Sequence, residues 1–76
     1  MSPKLPRITA RELVRVLHRA GWYDDEQSGS HLSLRHPTRP GKLIVPNHKG
    51  TDLKVGTLAS ILDDAGLTPD DLRRLR

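Results

Sequence analysis

The sequence contains no cysteine and no phenylalanine, and Trp22 and Tyr23 are its only aromatic residues of the Phe, Trp and Tyr type. Without cysteine there is no disulfide framework, zinc ribbon or thiol nucleophile, and four histidines unsupported by cysteine argue against a structural metal site. The absence fits a cytoplasmic chain. Long apolar runs are missing as well: the longest is Leu43-Ile44-Val45, far short of the roughly 18 residues that a membrane span requires. The first 20 residues hold no signal-peptide core. Membrane insertion and secretion are therefore not expected. With 76 residues, 34% of them hydrophobic, the chain can form one small domain, which buries about 60% of its unfolded surface. Its core must come from Leu, Val and Ile.

Carboxylates are absent from one long stretch. The formal net charge is +4, and it is distributed unevenly. Residues 1–26 carry five basic and four acidic groups, residues 27–54 five and one, and residues 55–76 three and four. The surplus therefore lies in the middle third, where no Asp or Glu occurs from Gln27 to Thr51 and three of the four histidines do. A surface that meets phosphates has this footprint, and so does a solvated basic loop.

Two prolines and no periodicity mark residues 1–7 as a tail or extended lead-in. A helix start follows, with Thr9 as N-cap, Glu12 completing a capping box, and Ile8 and Leu13 forming a hydrophobic staple. The helix is expected to run to about Ala20, with Gly21 as its left-handed cap. It buries Leu13, Leu17 and Ala20, flanked by Val14 and Val16, and turns Arg11, Arg15 and Arg19 outward. Trp22–Glu26 fits a first strand and Gln27-Ser28-Gly29 a turn. The segment Ser30–His36 alternates as a second strand, and Lys42–Val45 is a third, stopped by Pro46. If Leu32, Leu34, Leu43 and Val45 face the core, then His31, Ser33, Arg35, Lys42 and Ile44 share the other face of the sheet. A second helix from about Val55 or Gly56 to Ala65 places Val55, Leu58, Ile61, Leu62 and Ala65 on one side and ends at Gly66. A last short helix starts at Thr68 with Pro69 at its first position. The fold class is α+β: helix, three-stranded antiparallel sheet, helix, and a short extra C-terminal helix, with all helices on one sheet face.

His31 stands out chemically. It follows Gly29-Ser30 at a strand start, on the non-core face, inside the stretch free of carboxylates. A glycine turn lets backbone N–H groups approach a phosphate closely, and Arg35 and Lys42 flank the same face. An imidazole, with an ordinary pKa of about 6.5, exchanges protons near neutral pH. General acid–base catalysis and an inert exposed histidine are both consistent with this placement. A serine triad requires Asp24, Asp25 or Glu26 to reach across from the first strand, and Ser28 and Ser30 read as turn residues. A metal site from His31, His36 and His48 is disfavoured, since His31 and His36 fall on opposite faces of one strand. His36 reads as a strand-end residue, His48 as a loop residue and His18 as a solvated helix residue.

These residues also resemble a family. Gly29-Ser30-His31, preceded by a capped helix ending in Gly21-Trp22, is followed by His36-Pro37 and by Leu43-Ile44-Val45-Pro46. Then come Leu53-Lys54-Val55-Gly56-Thr57-Leu58 and Ile61-Leu62-Asp63-Asp64-Ala65-Gly66-Leu67. In order, spacing and total length the set looks like a HicA toxin of a type II toxin–antitoxin module. The resemblance implies a double-stranded-RNA-binding-like fold and a ribosome-independent mRNA interferase whose activity rests on the Gly-Ser-His histidine, here His31. It also implies a HicB-type antitoxin as inhibitor. One departure is Leu34, where the family often has an aromatic. Leu34 faces the core by alternation, so packing rather than chemistry should change.

The reading that joins residues and resemblance is a metal-independent endoribonuclease that uses no cofactor and takes mRNA as substrate. His31 assists attack of the 2′-hydroxyl on the adjacent phosphate. Gly29, Ser30, Ser33, Arg35, Lys42 and Lys54 are the expected nucleic-acid contacts. No second acid or base is evident, because the surrounding sequence lacks carboxylates. Residues 1–8 form the N-terminal tail, 9–67 the domain and 68–76 a short helical extension. A non-catalytic RNA-binding module or a protein-docking module would show the same basic face.

Overall fold

A computed structural model describes residues 5–48 and 50–76; of the tail expected over residues 1–8, residues 1–4 lie outside the described residues. Helix α1 spans Ala10–Arg19, strands β1, β2 and β3 span Tyr23–Ser28, His31–Arg35 and Lys42–Pro46, and helices α2 and α3 span Val55–Ala65 and Pro69–Leu75. The strands form one antiparallel sheet in the order β1-β2-β3. This is the α+β arrangement of helix, sheet, helix and final helix that the periodicities predict.

Local sequence explains the ends of α1. The Thr9 hydroxyl accepts the Glu12 backbone N–H at 3.2 Å, satisfying one of the donors that a helix start leaves open. At the other end Gly21 N–H donates to His18 and Trp22 N–H to Leu17, the paired bonds of a Schellman cap. Gly21 has φ +97°, and a Cβ there would lie 2.8 Å from His36 Nε2. Glycine is thus required twice over, by the left-handed backbone and by the imidazole lying against it.

Helix α3 is capped more completely. The Thr68 hydroxyl accepts the Asp71 N–H, and the Asp71 carboxylate accepts the Thr68 N–H at 2.9 Å. That backbone donor, followed by Arg74, holds the Asp71 carboxyl below its ordinary value of 3.8. A hydrogen bond from Arg76 does the same for Glu12, whose ordinary value is 4.5. For carboxyls lowered by folding, the stabilisation is complete above the ordinary pKa and disappears as pH falls through the lower folded one. Denaturant midpoints should therefore be flat at neutral pH and fall below about pH 4. Asp71→Asn should weaken that fall.

The core lies between the inner sheet face and the helices. Leu32, Leu34, Leu43 and Val45 project from the sheet to meet Ala10, Leu13, Val16 and Leu17 of α1, Leu58, Ile61, Leu62 and Ala65 of α2, and Leu72 of α3. Ile8 and Trp22 complete it. Trp22 packs edge-on against His36, with ring centroids 5.2 Å apart.

Three expectations are corrected. Gln27 and Ser28 belong to β1 rather than to the turn, which is the two-residue loop Gly29-Ser30. Its single positive φ, at Gly29, is the type II′ pattern that suits the twist of a tight hairpin. Ser30 and His36 fall outside β2. Val55, placed by periodicity on the buried side of α2, is 64% exposed at the first position of that helix.

Candidate functional site

Antiparallel partners present their side chains on the same face, so the register builds the outer surface row by row. At the hairpin end Ser28, His31 and Pro46 lie side by side; then come Glu26, Ser33 and Ile44, and then Tyr23, Arg35 and Lys42. The alternation read from the sequence does bring His31, Ser33, Arg35, Lys42 and Ile44 together on one face. Ile44 is 50% and Tyr23 48% exposed there.

The hairpin turn leaves this end open. A Cβ at Gly29 would meet nothing within 4 Å, and Gly29 has φ +59°. Among the described residues the Gly29 and Ser30 N–H groups donate to no protein acceptor, whereas the Ser30 carbonyl accepts Asn47 N–H. Two adjacent unspent N–H groups beside an imidazole can serve an anion. Four residues separate His31 from Arg35, or about 13 Å at the rise of an antiparallel strand. Arg35 and Lys42 therefore sit one or more nucleotides away from a phosphate held at His31.

Acids also lie on this surface. The 27–51 stretch lacks carboxylates along the chain but not in space, because β1 lies beside it. A bulge between Asp24 and Glu26 inserts Asp25, whose carboxylate accepts the Arg35 Nε–H at 3.2 Å. The Ser33 hydroxyl donates to the Glu26 carbonyl at 3.1 Å and so ties down the bulge. The signal was present in Asp24-Asp25-Glu26, but a strand with no buried residue gives no register. Asp25 must compete with any phosphate for Arg35. An exposed ion pair of this kind is worth up to about 1 kcal/mol, so Asp25→Asn should tighten RNA binding by up to about fivefold. A filter-binding titration at constant salt checks this.

The other imidazoles have different surroundings. His18 Nε2 lies 2.7 Å from Asp24 Oδ1, so His18 is paired rather than simply solvated. His36 Nε2–H donates to the Ala20 carbonyl, and its Nδ1 accepts Thr38 N–H, each at 3.2 Å. One bond needs a ring proton and the other a lone pair, which fixes the Nε2–H tautomer and pins the end of α1 to the end of β2. His48 lines a hollow of about 270 Å³ with Pro46, Asp52 and Lys54, placing Lys54 beside the residue that pairs with His31. His31 is exposed, and its imidazole has no hydrogen-bond partner among the described residues. Those residues contain no group of three His, Asp or Glu able to hold a metal ion.

The sequence model of the family described as HicA toxin of bacterial toxin-antitoxin matches residues 10–67. The chain belongs to the HicA toxin family. Matched residues include all three rows of the outer face and the hairpin turn, whereas α3 lies beyond them. No curated protein matches the sequence. A HicA toxin is one half of a toxin–antitoxin pair, so a cognate antitoxin is its partner. No helix among the described residues is long and apolar enough to cross a membrane.

Proposed function

We propose that this HicA-family toxin is a metal-independent endoribonuclease acting on mRNA, with His31 as its general acid–base residue. The observation that carries the reading is the placement of an unpartnered His31 beside two unspent backbone N–H groups, on the face that also bears Arg35 and Lys42. His31 takes the proton from a ribose 2′-hydroxyl as that oxygen attacks the adjacent phosphorus. The bond to the 5′ oxygen then breaks, and the departing oxygen takes a proton from solvent. The products are a 2′,3′-cyclic phosphate and a 5′-hydroxyl. DNA, lacking the nucleophile, is not cut. The Gly29 and Ser30 N–H groups stabilise the charge that grows on the phosphate oxygens. Lys42 and Arg35 hold a neighbouring phosphate, Lys54 adds positive charge beyond Pro46, and Ser33 holds the bulge against which the strand is set.

The partner that silences this site is a HicB-type antitoxin covering the His31 face. Ile44, apolar and ringed by charge, suits one buried anchor with a carboxylate rim around it.

Incubating the purified protein with RNA in excess EDTA, followed by mass spectrometry of the fragments, tests the chemistry. Cleavage should persist and leave 2′,3′-cyclic phosphate ends or their hydrolysis product. Fragments ending in a plain 3′-hydroxyl would mean attack by water and a different mechanism. Intact RNA would leave the non-catalytic binding module.

A further inference from the structure

The inner face of the sheet is not fully covered. All six residues of β1 are exposed, so the inner side of that strand overhangs the helices. A cleft of about 500 Å³ lies there, lined among others by Arg11, Val14, Asp24, Gln27, Leu32 and Asn47. It is at the same end of the sheet as His31. Gln27 pairs with Leu32, the neighbour of His31, and Asn47 follows Pro46, the cross-strand partner of His31. Asn47 N–H also bonds the Ser30 carbonyl. The cleft and His31 are thus on opposite faces of one hairpin end, separated by the open Gly29-Ser30 turn.

We propose that this cleft binds an unstacked RNA base next to the phosphate held at His31; the placement beside the reacting phosphate rests on the nuclease reading above. Its walls have the composition that base recognition needs. Leu32 and Val14 give an apolar contact for a ring face, while the Gln27 and Asn47 side-chain amides each offer a donor and an acceptor side by side. Neither amide is engaged in a hydrogen bond within the described residues. Asp24 gives one carboxylate oxygen to His18 and keeps the other. The two amides and the free Asp24 oxygen thus line the cleft with donors and acceptors together, the mixture that the edge of any nucleobase presents. Arg11 at the rim answers the charge of the following phosphate. RNA bends round the turn, where the absence of any side chain on Gly29 leaves room.

The test is a titration of the isotopically labelled protein with the four nucleoside 3′-monophosphates, following the Gln27 and Asn47 side-chain amide signals. All four should move both signals, and ribose 5-phosphate, which lacks the base, should bind at least threefold more weakly. Gln27→Leu should weaken nucleotide binding at least threefold while retaining the native spectrum elsewhere. Amide signals that stay put with all four nucleotides, or that respond to ribose 5-phosphate as strongly, would overturn the assignment. RNA cleaved in EDTA without these shifts would remove the subsite and leave the nuclease standing; shifts without cleavage would do the reverse.

Discussion

The His31→Ala variant should lose RNA cleavage by about 10²–10⁴-fold, the contribution typical of a positioned acid or base, while its thermal unfolding stays within experimental error of wild type. The second half of this expectation follows from placement. His31 is exposed, lies outside the core and bonds to no described residue through its side chain, and surface substitutions of that kind usually change stability by no more than about 0.5 kcal/mol. Rate and stability thus separate, which is what distinguishes a group at the reacting atoms from one that shapes the site. His36→Ala provides the contrast. Losing the bonds to Ala20 and Thr38 and the edge contact with Trp22 should lower the unfolding temperature, with activity falling only as far as the folded fraction does. A single-turnover assay beside circular dichroism melts measures both quantities on the same samples. Cleavage by His31→Ala at the wild-type rate would remove the catalytic assignment, and its unfolding would make His31 structural.

How much of this surface can be read from sequence depends on which strand is considered. In β2 and β3 the apolar residues alternate, and a slip of one position would put Leu32, Leu34, Leu43 and Val45 into water. The core thus dictates which side chains point away from it, and His31, Ser33, Arg35, Lys42 and Ile44 follow without further information. In β1, Tyr23 to Ser28 includes no aliphatic residue and none of the six is buried, so nothing in the sequence pins its register or reveals its bulge. The Asp25–Arg35 pair and the inner cleft both depend on that strand. The helix ends were legible because Thr9, Gly21, Gly66 and Thr68 each meet a specific backbone demand. Val55 was misplaced because helical periodicity gives the direction of a side chain but not whether a neighbour reaches it.

The largest effect on stability is expected at a residue that the family match does not include. Read along the chain, Pro69–Leu75 is a short polar helix with two leucines, easily regarded as an appendage to residues 9–67. In space Leu72 has no exposed surface and belongs to the same core cluster as Leu13 and Leu17 of α1. The helix is also tied back by polar bonds: Arg19 donates to the Leu75 and Arg76 carbonyls at 2.9 Å, and Arg76 donates to Glu12 at 3.0 Å. Leu72→Ala removes fully buried methyl groups from a core too small to refill the space, which costs about 2–5 kcal/mol. A domain of this size has few kcal/mol to lose, and its melting temperature shifts by about 4–8 °C for each one. A chain ending at Leu67 should fare worse, because it exposes the whole face of α1 that α3 covers, and it should give broad melts or aggregate. Arg19→Ala, which cuts only the exposed polar bonds, should cost about 1 kcal/mol or less. Equilibrium denaturation of the three variants orders them. If Leu72→Ala melts with wild type, α3 is not part of the core in solution, and the fold is complete at the end of α2.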